Sequence, residues 1–92
     1  MKTHDEFTTA IRETFKDMDV GWMLMKRAVL KVVDAYCAQP EAGEYQIQIS
    51  ESDVRNVFED FNSIPLFSEV LKEIGIPVKG VSMQGTNITV SM

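Results

Sequence analysis

Residues 78–92 read VKGVSMQGTNITVSM, and this stretch decides the fold. Val81 and Met83 alternate with polar neighbours, the chain passes through Gln84-Gly85-Thr86-Asn87, and Ile88, Val90 and Met92 resume the alternation. A period of two places apolar side chains on one side of an extended strand, and a short glycine-bearing connection between two such runs is the mark of a β-hairpin. Upstream, Glu44 to Ile49 carries the same alternation, with Tyr45, Ile47 and Ile49 in one phase and Glu44, Gln46 and Gln48 in the other. The chain therefore contains a small sheet.

Everything else follows the helical period. Thr3 with Glu6 three residues later forms a capping-box pattern, and Phe7, Ile11, Phe15 and Met18 then recur on one face. Asp19 suits the cap of a second helix running from about Val20 to Ala38, which ends before Pro40. Ser50 and Asp53 open a third, with Val54, Val57, Phe58 and Phe61 on one face, and Asn62-Ser63 interrupt it. Pro65 fits the first turn of a fourth that carries Leu66, Phe67, Val70, Leu71 and Ile74, and Gly75 stands where a left-handed cap is needed. The expected fold class is α+β in the order ααβααββ: a small, mainly antiparallel three-stranded sheet with helices on one face, in a single compact domain spanning 1–92. Either strand of the hairpin can lie beside the first strand, and the pattern does not choose between them.

Composition bounds the function. The chain is 45% hydrophobic and 25% charged, which is ordinary for a globular domain, and its net charge of −5 works against binding to phosphate backbones or anionic lipid. The single cysteine, Cys37, has no intramolecular partner and suits a reducing compartment. No signal-peptide-like apolar run opens the sequence, and the apolar stretch 20–33 is interrupted by Lys26, Arg27 and Lys31, so a cytoplasmic protein without a membrane span is expected.

Catalytic chemistry finds little support. The only histidine, His4, sits close to the start, and no spacing links it to Cys37 as base to nucleophile. The glycines are isolated, and no zinc, calcium, Walker or dinucleotide motif is present, so no catalytic residue, cofactor or metal site is expected. The carboxylates Asp5, Glu6, Glu51 and Asp53 fall in first turns of helices, where they complement the helix dipole.

The second helix stands out because about two-thirds of its circumference is apolar, leaving Arg27, Lys31 and Asp34 as a narrow polar stripe with Lys26 inside the apolar arc. Such a helix is either central to the core or part of an interface. Trp22, Met23, Met25, Lys26 and Arg27 are the first candidates for partner contact, and Glu59, Asp60, Glu69 and Glu73 the second. The terminal strand Thr86–Met92 offers a further surface, since its edge can pair with another chain.

The expected function is a non-enzymatic protein-binding module acting as inhibitor, adaptor or regulatory subunit of a larger protein, with a homodimer as one form of partnership. Small inhibitors carried by phages or mobile elements share this format. The alternative is an acidic mimic of nucleic acid that blocks a DNA- or RNA-binding enzyme. Direct nucleic-acid binding through Lys26, Arg27 and Lys31 is the weaker alternative, because three cations beside Asp34 are a sparse footprint.

Overall fold

A computed structural model describes residues 3–16, 22–55 and 64–92, with the side chains of 22–24 left aside. The order is α1 (His4–Phe15), α2 (Trp22–Ala38), β1 (Glu44–Gln48), α3 (Glu51–Asp53), α4 (Ile64–Ile74), β2 (Gly80–Gln84) and β3 (Asn87–Ser91). Of the positions named for the first three helices, Met18, Asp19, Val20, Val57, Phe58, Phe61, Asn62 and Ser63 lie outside the described residues.

The caps form as the side-chain chemistry requires. Thr3 Oγ1 accepts the Glu6 N–H at 3.2 Å while Glu6 Oε1 reaches back to the Thr3 N–H at 3.4 Å, closing the capping box of α1. Ser50 Oγ accepts the Asp53 N–H at 3.1 Å at the start of α3. α4 ends in a Schellman motif: Gly75, at φ +108°, donates to Lys72 O at 3.1 Å, and Ile76 donates to Leu71 O at 2.9 Å. Ile76 and Leu71, whose apolar contact usually accompanies that motif, are both buried. Gly75→Ala forces a Cβ into the left-handed region and is expected to cost about 1 kcal/mol or more. Gly80 has ordinary φ and nothing within 4 Å of a Cβ, so Gly80→Ala is the matched control in urea melts.

The sheet order is β1-β3-β2 with both pairings antiparallel. This settles the arrangement left open by the pattern, and it overturns one expectation. The terminal strand has no edge to offer, because β3 is central and bonded on both sides. Its alternation feeds two neighbours: Tyr45, Val90 and Val81 align in one row, and Ile47, Ile88 and Met83 in the next. β2 and β3 are joined by Gly85-Thr86, a two-residue hairpin loop in which Gly85 at φ +61° supplies the positive φ that matches strand twist.

The described helices cover the apolar side of this sheet. Tyr45, Ile47, Ile88 and Val90 are buried, whereas Gln46, Gln48, Ser82, Gln84 and Asn87 on the opposite side are exposed. α2 packs on β1, α4 packs on β2, and α1 lies against both helices, burying Phe7, Ile11 and Phe15. An aromatic ladder crosses three elements, with Phe7 edge-on to Tyr36 at 5.9 Å and Tyr36 edge-on to Tyr45 at 6.1 Å. The Tyr45 hydroxyl donates to Gln39 O and ties the α2–β1 connection to the sheet.

Candidate protein-binding surface

The wide apolar arc of α2 is enclosed from Met25 onward. Met25, Ala28, Val29, Val32, Val33 and Tyr36 are buried between α1, α4 and β1. Met25 is 0% exposed and so cannot touch a partner, which corrects its place among the contact candidates. Lys26 is half-buried and Arg27 exposed, while the side chains of Trp22 and Met23 lie outside the described residues. Of the second group, Glu69 and Glu73 are exposed on α4, where Glu69 meets Lys72 at 3.8 Å, and Glu59 and Asp60 lie outside the description. The basic stripe is also partly engaged: Lys31 Nζ donates to Gln48 O at 2.5 Å.

One juxtaposition was not legible in the sequence. His4 Nε2 lies 2.6 Å from Asp34 Oδ1, which brings the only histidine onto α2 one turn before Cys37. The arrangement is wrong for a nucleophile. Burial, and then the Asp34 carboxylate, push the Cys37 thiol up from its ordinary range, so the sulfur stays protonated and weakly reactive at neutral pH. His4 and Asp34 are themselves half or more exposed, which leaves a solvated pair at a helix start. Among the described residues no group of three His, Cys, Asp or Glu side chains is placed to hold a metal ion. A hollow of about 320 Å³ beside the hairpin loop is lined by Glu51, Val54, Arg55, Gly85 and Thr86, with no second titratable group of like kind to form an acid–base pair. No helix among the described residues is long and apolar enough to cross a membrane.

What remains is the side of the sheet that none of the described helices covers. Three rows cross it: Gln46, Thr89 and Ser82; Gln48, Asn87 and Gln84; and Glu44, Ser91 and Gly80. In a chain with one residue in four charged, this surface carries a single charge, Glu44, at its corner. Depletion of charge is one trait of interface centres. Three strands about 4.8 Å apart and about 17 Å long present only roughly 250 Å², against about 800 Å² per partner in a standard interface. A partner must therefore extend over a border of this face as well.

The two borders differ. Along β1, Gln48 O is already taken by Lys31 and Glu44 adds a charge. Along β2, residues 80–84 hold no charge and no proline, and Val81 and Met83 are only half-buried while their row neighbours Val90 and Ile88 are 0% exposed. The neutrality of the polar phase could have been found in the sequence by comparing the three strands side by side. Which strands form the borders required the strand order. Comparison with known protein families, with curated proteins and with solved structures gives no match.

Proposed function

We propose that the chain is a small protein-binding module, acting as inhibitor, adaptor or regulatory subunit of a larger protein, and that it meets its partner with the bare side of the sheet and the adjoining β2 border. The observation that supports this reading is the near-neutral sheet surface on an otherwise acidic chain. A long-range field of net charge −5 keeps copies apart in solution, and a neutral surface on the same molecule is where a close, desolvated contact costs least.

The test is capture of partners from the native host's lysate by a tagged chain, compared with Gln46→Arg and Ser82→Arg, two exposed positions on the bare side. Capture should be lost in both variants with urea midpoints unchanged. Because the contact is mostly neutral, the captured complex should also persist as salt rises from about 0.1 to 0.5 M. Loss of the complex over that range, together with loss on Glu69→Lys and Glu73→Lys, would favour the acidic-mimic reading instead. Lys72 beside Glu69 breaks the run of charge such mimicry needs.

A further inference from the structure

We propose that the free border of β2 takes up an extended segment of the partner protein as a fourth, antiparallel strand, the segment being apolar at alternate positions and free of acidic residues. This rests on the protein-binding reading above and specifies its mode.

The argument begins with hydrogen-bond direction. Ile49 donates to Thr86 O, and Met92 donates to Gly43 O, so the even-numbered residues of β3 point their backbone groups at β1. Backbone direction alternates along a strand, so Asn87, Thr89 and Ser91 point at β2, and they do so in register with Gln84, Ser82 and Gly80. Lys79, just before β2, donates to Ser91 O at 2.7 Å, so Ser91 does face this side. The N–H and C=O groups of Val81 and Met83 consequently point away from the sheet, and no described residue outside the ladder bonds to them. Natural proteins guard such a border with charge, proline or cover, and residues 80–84 have neither of the first two.

Side chains on the same border are incomplete in the matching sense. Val81 and Met83 lie on the helix side of the sheet and remain half-buried. In antiparallel pairing, residues directly opposite share a face. A fourth strand would therefore set two apolar side chains beside Val81 and Met83 while its backbone completes four hydrogen bonds.

Spacing selects the occupant. A neighbouring strand needs about 4.8 Å, whereas a helix with its side chains is about 10–12 Å wide. α4 packs on β2, so two copies joined β2 to β2 in one flush sheet would bring two α4 helices to a separation suited to strands. A bare strand has no such conflict. Charge selects further, since an acidic segment would approach a chain of net charge −5.

The test titrates the ¹⁵N-labelled protein with the synthetic peptide acetyl-Lys-Thr-Val-Thr-Val-Thr-Lys-amide. Shifts and slowed exchange are expected at the Val81 and Met83 amides, with a dissociation constant on the order of 1 mM or lower. N-methylation of both valines, whose amides face Val81 and Met83 in this register, should abolish binding, and N-methylation of the threonines should not. Val81→Pro removes one outward N–H without touching the ladder to β3, and Met83→Lys places a guarding charge on the border; each should weaken binding at least about tenfold. Glu13→Gln, an exposed position on α1, should leave peptide binding unchanged. If Val81→Pro impairs folding, Met83→Lys decides. Shifts confined to Gln46, Ser82 and Thr89 would overturn strand addition while leaving the protein-binding reading standing, and absence of any shift would overturn strand addition. Broadening of the Val81 and Met83 amides with protein concentration alone would show that a second copy is the occupant and overturn the spacing argument.

Discussion

Phe67→Ala is expected to lower the unfolding free energy by about 3–5 kcal/mol. Phe67 lies on α4 and is 0% exposed, and α4 packs on α1, α2 and β2. Truncation removes a ring from a core whose other members come from every layer, so the cavity cannot close by one side chain moving. Small domains have about 5–15 kcal/mol in total, so the variant should be marginal at room temperature. In urea the midpoint should fall sharply with the slope unchanged, since the surface exposed on unfolding is nearly the same. Leu66, its neighbour, is 39% exposed, and Leu66→Ala should cost under about 1 kcal/mol. Similar losses at the two positions would mean that α4 does not present Phe67 to the core.

Met25→Ala is the second large effect, at about 2–5 kcal/mol of stability, and it separates two roles for the start of α2. Met25 is fully enclosed, so partner capture by the fraction that stays folded should be unaffected. Arg27 is exposed, and Arg27→Glu should change stability by no more than about 0.5 kcal/mol. The outcome that would reinstate the first turns of α2 as the recognition surface is the reverse pattern: Met25→Ala folded and stable but unable to capture a partner, and Arg27→Glu equally impaired.

Local grammar was legible because it depends on neighbours in the chain. Thr3 with Glu6, Ser50 with Asp53, Gly75 after Ile74, and the alternation around Gly85 each encode a structure within a few residues, and each forms. Strand order was not legible. Tyr45 and Ile47 are compatible with Val81 and Met83 as well as with Val90 and Ile88, since all six are apolar at the same period. Only burial across the whole sheet distinguishes a central β3 from a central β2. The consequence for the proposed binding surface was large, because the candidate border moved from Thr86–Met92 to residues 80–84. The wide apolar arc of α2 was ambiguous for a related reason: periodicity reports how much of a helix is apolar, not how many neighbours surround it.

The central place of β3 also governs when the sheet can exist. Ile47 and Ile88 are row neighbours 41 positions apart, and β1 has no partner until β3 has been made. At about 5–20 residues per second, a ribosome that has just released Ile47 needs about 2 to 8 s more to deliver Ile88. During that interval the nascent chain is a set of amphipathic helices and one unpaired strand, with the faces of Tyr45, Ile47 and Met25 open to water. β3 follows both β1 and β2 out of the exit tunnel, so β1 spends its first seconds without the neighbour that covers it.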